Sequence, residues 1–102
     1  MRIDLETLEV KNNAELSRFE AQVSDFTAVI DYRLVGNKII FLHTGVPDEI
    51  AGHGIGGQMA KTALDFARDS GLKVVPQCPF VAGYISRHPV YLDLVVNSGW
   101  EA

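Results

Sequence analysis

The sequence is poor in cysteine, and Cys78 is its only example. A single thiol excludes an internal disulfide and is typical of a reducing compartment, so we expect a cytoplasmic protein. One cysteine and three scattered histidines give no spacing typical of a metal centre, and we therefore predict no metal site.

Basic residues are also scarce. Nine Lys and Arg against thirteen Asp and Glu give a formal net charge of −4, without any basic cluster, so we expect no nucleic-acid partner. The longest apolar runs contain only a few residues, whereas a membrane span needs about 20, and we expect no membrane partner. Acidic residues interrupt the start of the chain, where a signal peptide would be apolar, so we expect none.

Hydrophobic residues, in contrast, are plentiful. They make up 47% of the chain, beside 22% charged residues, and this balance is typical of a protein with a packed core. Because domains most often contain about 100–150 residues, we expect residues 1–102 to form a single domain. Near its end, Trp100 is expected to cover an apolar patch.

Alternating apolar and polar residues predict strands in the first half of the chain. The predicted strands are residues 8–10, ended by Asn12 and Asn13, then residues 17–23, 26–35 and 38–44. In the third of them one face collects Phe26, Ala28, Ile30, Tyr32 and Leu34. Short turns at residues 24–25 and 36–37 join neighbouring strands, which predicts an antiparallel meander.

From Ile55 the apolar period changes to 3.6, which predicts a helix that Gly71 ends. Its apolar face contains Ile55, Met59, Ala63, Phe66 and Ala67, whereas Gln58, Lys61, Asp65 and Arg68 face solvent. Residues 72–75 then form a strand that Pro76 and Pro79 stop. If this strand lies beside the one before the helix, the unit is a right-handed parallel crossover.

The end of the chain predicts one more helix, over residues 80–87, which ends at His88 and Pro89. Residues 91–96 form a short helical or extended piece. The fold class is therefore α+β, with an antiparallel meander sheet followed by a β-α-β crossover and a short C-terminal helix.

The glycine-rich stretch over residues 52–57, GHGIGG, stands at the mouth of the long helix. Glycines let the backbone approach a ligand without interference from a Cβ atom. The unpaired N–H groups of the first helical turn and the positive end of the helix dipole favour phosphate oxygens. The stretch therefore predicts a phosphate cradle, and a glycine-rich helix entry that binds nothing is the alternative.

Gly52, Gly54 and Gly57 also match the G-x-G-x-x-G spacing of dinucleotide-binding proteins. That fingerprint needs a parallel βαβ unit, whereas the strands before this stretch read as antiparallel hairpins. The chain is also short for a fold that pairs two mononucleotide-binding halves. We infer a site for a pyrophosphate rather than for NAD.

Residues 49–54, EIAGHG, resemble motif A of the GNAT superfamily of acetyl-CoA-dependent N-acetyltransferases, written Q/R-x-x-G-x-G/A. Glu49 stands where Gln or Arg is usual, which removes one potential donor and leaves the backbone cradle intact. Over residues 15–95 the chain is more closely similar to small, single-domain GNAT-like proteins. Four segments carry this likeness: His43-Thr44-x-Val46-Pro47, Gly52-x-Gly54-Ile55-Gly56, Val75-Pro76-x-Cys78-Pro79-Phe80 and Arg87-His88-Pro89-x-Tyr91.

The resemblance implies acetyl-CoA as the co-substrate and a primary amine, of a protein or a small molecule, as the acceptor. In the GNAT fold the strands before and after the long helix splay apart around the acetyl group, so backbone N–H groups over residues 44–46 are the expected oxyanion donors. Gly54 and Gly56 are the least replaceable, because a side chain there would collide with the pyrophosphate. The residues expected to bind acetyl-CoA are Thr44, Val46, His53, Gly54, Ile55, Gly56, Gly57, Tyr84, Arg87 and His88.

His43 and Cys78, at the ends of those two strands, are the expected catalytic residues. An imidazole with an ordinary pKa of about 6.5 suits a base that takes the amine proton. Cys78 is an acyl-accepting nucleophile, a proton donor to the leaving thiolate or a wall of the pocket. As a nucleophile it would need a neighbouring base such as His43, because a free thiol has a pKa near 8.5.

Two other functions remain open at this point. One is a non-catalytic acyl-CoA-binding or interaction module that keeps the fold and the cradle, and turnover with an amine distinguishes it from an enzyme. The other is a regulatory domain that binds nucleotides, which would take up ADP or ATP as well as CoA. The acceptor and the oligomeric state are left undetermined.

Overall fold

A computed structural model describes residues 3–96 of the chain, and the expectation for Trp100 lies outside these residues. Five strands form one sheet in the order β1-β2-β3-β4-β5, in which β1 to β4 are antiparallel and β5 is parallel to β4. Their bounds are β1 Val10–Asn13, β2 Arg18–Val23, β3 Phe26–Val35, β4 Lys38–Gly45 and β5 Lys73–Pro76. The predicted antiparallel meander followed by a parallel crossover is confirmed.

Two α-helices and two 3-10 helices complete the fold. Their bounds are Asp48–Ile50 (3-10), α1 Ile55–Asp69, α2 Pro79–Arg87 and Pro89–Leu94 (3-10). Helix α1 connects β4 to β5, as the change of period at Ile55 predicts. Gly71 follows α1 with φ at +70°, a conformation that glycine adopts without steric cost, and this confirms its predicted role at the helix end.

The core lies between one face of the sheet and the helices. Alternate residues of β2, β3 and β4 are buried against the apolar faces of α1 and α2; they are Phe19, Ala21, Ala28, Ile30, Tyr32, Ile39 and Phe41. The opposite side chains of β2 and β3, including Glu20, Val29 and Asp31, are half-buried or exposed. We call this second side of the sheet the open face.

A bulge in β4 changes which side chains lie on which face. Asp31 is paired with His43, but the next residue of β3, Tyr32, is paired with Phe41, so Leu42 has no residue opposite it. Phe41 therefore points into the core and His43 lies on the open face, although two residues apart in an unbroken strand they would share a side. Thr44, paired with the buried Ile30, returns to the core side.

Two details of the predicted strands are wrong. Leu34 is 53% exposed, whereas the prediction places it on the buried face of β3. The reason is that β2 begins only at Arg18, which lies opposite Asp31, so the last residues of β3 pair with β4 alone. The first strand begins at Val10 rather than at residue 8 and includes Asn12 and Asn13 as its last two residues; the Tyr32 hydroxyl donates a hydrogen bond of 2.6 Å to Asn12 Oδ1.

The C-terminal 3-10 helix is attached to α1 by polar contacts. The Arg68 guanidinium donates two hydrogen bonds of 2.9 Å to Asp93 and one of 2.7 Å to the Val90 carbonyl. The Tyr91 hydroxyl donates one of 2.7 Å to Asp65. Arg68 is exposed, as predicted for a solvated face, and in addition its guanidinium joins α1 to this 3-10 helix.

The Asp65 carboxylate also accepts a hydrogen bond of 3.0 Å from Lys61. Partial burial opposes ionisation of Asp65, but the bonds from Tyr91 and Lys61 outweigh it and lower the pKa of the carboxyl. Burial, with the bond to Asp65, raises the pKa of Tyr91 far above its ordinary value. Tyr91 therefore remains a hydrogen-bond donor at neutral pH.

Tyr91→Phe should lower the free energy of unfolding by about 1 kcal/mol, because it removes a hydrogen bond to a charged group that is partly screened by solvent. Urea unfolding followed by circular dichroism measures this difference. Leu92→Ala, which shortens an exposed neighbour in the same 3-10 helix, is the matched control and should change stability by less than about 0.5 kcal/mol. Equal free energies of unfolding for Tyr91→Phe and the natural chain would show that the bond from Tyr91 to Asp65 does not stabilise the packing of the 3-10 helix on α1.

Candidate functional site

The glycine-rich stretch forms a tight backbone loop at the N-terminus of α1. Gly52 and Gly54 have φ of +82° and +81°, in the left-handed region that side chains other than glycine disfavour. Gly54 is the N-cap residue of α1, and its carbonyl accepts a hydrogen bond of 3.0 Å from the Gln58 N–H. The N–H groups of residues 55–57 therefore precede the first intrahelical bond and, with the positive end of the helix dipole, are available to an anion.

A cavity of about 340 Å³ opens beside this loop. Its lining includes six of the residues predicted to bind acetyl-CoA: Thr44, Val46, Gly54, Ile55, Gly56 and Gly57. Ile50, Ala51, Gly52 and Phe80 complete it; Gly52 belongs to the predicted phosphate cradle, and the other three were not predicted to bind acetyl-CoA. The predicted residues His43, His53, Cys78, Tyr84, Arg87 and His88 are not among those that line it. The cavity thus brings the end of β4 together with the glycine loop.

Phe80, in the first turn of α2, closes one side of the cavity. A Cβ atom built on Gly56 would lie only 2.8 Å from Cζ of the Phe80 ring, so the ring rests directly on the glycine backbone. The ring is 38% exposed and therefore borders the cavity rather than packing beneath it. Its place directly after Pro79, in one of the four family segments, was the sequence signal that could have identified it.

Strands β4 and β5 separate at the same end of the sheet. Their register ends with Phe41 opposite Pro76, and one more hydrogen bond, 2.9 Å from the Cys78 N–H to the Phe41 carbonyl, joins the two segments. Residues 42–45 of β4 continue without a partner in β5. The Thr44 hydroxyl lies 3.2 Å from the Cys78 thiol across this gap, and Cys78 is only 2% exposed. The gap that the resemblance implies is therefore present, with Thr44 and Cys78 at its base.

His43 does not lie beside Cys78. The bulge at Leu42 places its side chain on the open face, whereas Thr44 points to the core side and touches the thiol. The His43 ring instead lies over Gly45, with Nε2 3.3 Å from the position that a Cβ atom of Gly45 would occupy. The partner of Cys78 is thus a hydroxyl, and the structure gives no support for His43 as a base acting on the thiol.

Three residues predicted to contact acetyl-CoA, Tyr84, Arg87 and His88, lie at the C-terminal end of α2. Two of them, Tyr84 and His88, contact each other and form a small cluster. The Tyr84 and His88 rings stack with centroids 3.9 Å apart, and His88 Nδ1 donates a hydrogen bond of 2.9 Å to the Tyr84 carbonyl. Burial raises the pKa of Tyr84, whose ring edge lies 3.7 Å from the Cβ position of Gly57. Arg87 is exposed, as is His53 in the glycine loop. This cluster lies next to the start of α1 but outside the cavity lining.

Residues 3–96 contain neither a candidate metal centre nor a helix that could span a membrane. No group of three or more His, Cys, Asp or Glu side chains among them is arranged to hold a metal ion. Neither helix in this range has the length and apolar character that crossing a membrane requires.

The sequence and the structure are similar to known proteins. The family model for GCN5-related N-acetyltransferases matches residues 18–94. Protein NATD1 of Gallus gallus and that of Mus musculus are each 41% identical to the chain over 69 residues, which is 65% of this chain and 63% of theirs. The chain thus spans slightly less than two thirds of the length of these relatives.

Protein NATD1 of Danio rerio matches over a longer range, with 31% identity over 101 residues, 93% of this chain and 92% of that protein. A protein from Staphylococcus aureus, solved by NMR and described as GCN5-like, has 31% identity and a TM-score of 0.69. That match covers 88% of this chain and 89% of the other. The matched residues include the glycine loop, both separating strands and Cys78, and the chain belongs to the family of GCN5-related N-acetyltransferases.

Proposed function

We propose that the chain binds acetyl-CoA and transfers its acetyl group to a primary amine. The observation that carries this proposal is the cavity that brings the glycine loop together with the end of β4, where β4 and β5 separate. One end of it offers backbone N–H groups and the positive end of a helix to a pyrophosphate, and the other end is bordered by Thr44 and Val46. The cytoplasm is the expected compartment, because the chain has a single cysteine, Cys78, which is reduced and buried.

The residues at the loop fit such a ligand. Four of the six residues over 52–57 are glycine, so no side chain covers most of the backbone where a phosphate would approach. Glu49, which stands where the family pattern has Gln or Arg, is exposed and is not part of the cavity lining. Its departure from the pattern therefore leaves the backbone cradle intact. In this proposal Tyr84, Arg87 and His88 contact the outer parts of the coenzyme.

The bound thioester would supply an acyl carbon that an amine can attack. Backbone N–H groups over residues 44–46 would donate to the carbonyl oxygen as negative charge develops there. His43 would accept one proton from the protonated amine, which leaves the amine neutral, and would later release that proton to solvent. Cys78, held by the Thr44 hydroxyl at 3.2 Å, would donate a proton to the leaving sulfur and regain one from the nitrogen. The amide C–N bond forms as the C–S bond breaks, and the protons balance.

Isothermal titration calorimetry with acetyl-CoA, CoA and ADP tests the binding half of this proposal. We expect acetyl-CoA and CoA to bind and ADP to bind much more weakly, because the cavity continues past the loop to Thr44 and Val46 at the end of β4. Release of free CoA in the presence of an amine tests the transfer half. Binding of acetyl-CoA without any release would favour the non-catalytic acyl-CoA-binding module, and equal binding of ADP would favour a nucleotide-binding domain.

Cys78→Ala should lower kcat about a hundredfold, the contribution expected of one positioned proton donor. The affinity for acetyl-CoA should change by less than about threefold, because Cys78 does not line the cavity. Steady-state release of CoA and calorimetry measure the two effects. Thr62→Val, which removes a hydroxyl from the middle of α1, is the control and should leave kcat unchanged. A kcat within threefold of the natural value would show that Cys78 takes no part in the proton transfer.

A further inference from the structure

Four residues form a row across the open face that ends at His43. The strand registers pair Asn13 with Arg18, Arg18 with Asp31, and Asp31 with His43. Directly paired residues of antiparallel strands project to the same face, with Cβ atoms about 4.5–5.5 Å apart. Asp31 therefore lies directly opposite His43 in the register, on the open face of the sheet.

A second row joins this position to a groove. Glu20 is paired with Val29, and Val29 with Gly45, beneath the His43 ring. The Cβ position of Gly45 lies 3.3 Å from His43 Nε2 and 3.6 Å from the Val29 side chain. Val29 is also part of the wall of a polar groove of about 560 Å³, which extends over β2 to β1. Through Val29, the groove therefore borders Gly45 and the His43 ring above it.

The charged side chains that line the groove neutralise one another, whereas Asp31, opposite Arg18 and outside the lining, has no partner among the described residues. Lys11 pairs with Glu9 at 3.5 Å, and the Arg18 guanidinium pairs with Glu20 rather than with Asp31. Within residues 3–96, the Asp31 carboxylate makes no hydrogen bond or ion pair. A half-buried carboxylate without a partner favours a nearby cation, and this one projects from the position opposite His43.

We propose that the acceptor arrives over the open face as a primary alkylammonium ion and that Asp31 holds it for His43. This inference rests on the proposed function and names the substrate class and the binding residue. One N–H bond of the ammonium breaks, the proton goes to the imidazole, and the electron pair stays on nitrogen. The neutral amine then faces the gap between β4 and β5. Asp31 keeps its negative charge throughout and is a binding residue.

Kinetics with charged and neutral acceptors test Asp31. In Asp31→Asn, the KM for n-butylamine, which is a cation at pH 7.5, should rise at least tenfold with kcat changed by less than threefold. The KM for aniline, which is neutral at that pH, should stay within twofold. Asp31→Glu should recover most of the loss, and Asp25→Asn, in the exposed turn between β2 and β3, is the control. An unchanged KM for butylamine, or an equal rise for both amines, would overturn the inference.

A binding measurement without acetyl-CoA separates this inference from the proposed function. Amide NMR spectra are recorded with a blocked pentapeptide that contains one lysine, with its norleucine analogue, and with butylamine. We expect shifts over residues 29–31 and 43–45 with both ammonium compounds, none with norleucine, and their loss in Asp31→Asn. Shifts that norleucine reproduces, or that survive in Asp31→Asn, would overturn the inference whatever calorimetry shows for acetyl-CoA. Stronger shifts with the peptide than with butylamine would identify a protein lysine as the source of the cation.

Discussion

Gly54→Val is expected to weaken acetyl-CoA binding at least a hundredfold, or about 2.8 kcal/mol. Gly54 caps α1 with φ at +81°, and valine disfavours that conformation strongly. The variant therefore either turns the N–H groups of residues 55–57 away from the ligand or places two methyl groups in the cradle. A Cβ atom at this position would also approach Leu5 to 3.0 Å. Calorimetry with acetyl-CoA measures the loss.

Gly71→Val provides the matched control, since it imposes similar backbone strain at the other end of the same helix. Gly71 has φ at +70°, and a Cβ atom there would meet nothing within 4 Å. We expect the two variants to lose comparable stability in urea unfolding, and Gly71→Val to bind acetyl-CoA like the natural chain at a temperature where both are folded. Equal binding by both variants would show that the loop is not the cradle.

His43→Ala is expected to lower kcat by about a hundredfold to ten-thousandfold, the range for a residue that takes a proton in the reaction. Its side chain lies on the open face over Gly45, outside the cavity, so the affinity for acetyl-CoA should be unchanged. Steady-state kinetics with a saturating amine, together with calorimetry, measure both quantities. Added imidazole should restore part of the rate, because the shortened side chain leaves space beside Gly45.

Leu42→Ala is the control for His43→Ala, because Leu42 is the exposed residue of the bulge and contributes to neither the cavity nor the open-face row. It should retain kcat within about threefold. A His43→Ala variant with the natural kcat would contradict the assignment of His43 as the base. Loss of acetyl-CoA binding in that variant would instead show that His43 belongs to the coenzyme site.

Periodicity alone predicts much of the fold. Alternation identifies β2, β3 and β4 to within one residue at either end, and the 3.6 period at Ile55 gives the start of α1. Gly71 likewise marks the end of that helix, because its role depends on local backbone conformation. These elements follow from short-range pattern and from turn residues, which the sequence displays directly.

The candidate site depends on one feature that the pattern does not display. Phe41 and Leu42 are both apolar, so the sequence does not show that the alternation of β4 shifts by one residue at Leu42. That shift places the His43 side chain on the other face from Cys78, and the thiol contacts the Thr44 hydroxyl instead. The distinct position of Asp31 was equally hidden, since it depends on the register of β3 with β4 and on the pairing of Arg18 with Glu20.

The attachment of the C-terminal segment was hidden for a similar reason. Arg68 lies 25 positions before Asp93, and a charged residue on the polar side of a helix usually faces solvent alone. Phe80, in contrast, stood inside a family segment, and only its orientation toward Gly56 was missing. Local pattern thus supplies the elements, whereas contacts between distant segments decide which side chains meet.

The most direct test of the account is an amide NMR titration of the natural chain with acetyl-CoA, since it locates binding residue by residue. We predict saturable shifts that are largest over residues 52–58 at the start of α1 and over residues 44–46 at the end of β4. The first group would report the pyrophosphate and the second the thioester. Absence of shifts, or shifts confined to the far end of the sheet around Gly36, would contradict the assignment of this cavity to acetyl-CoA.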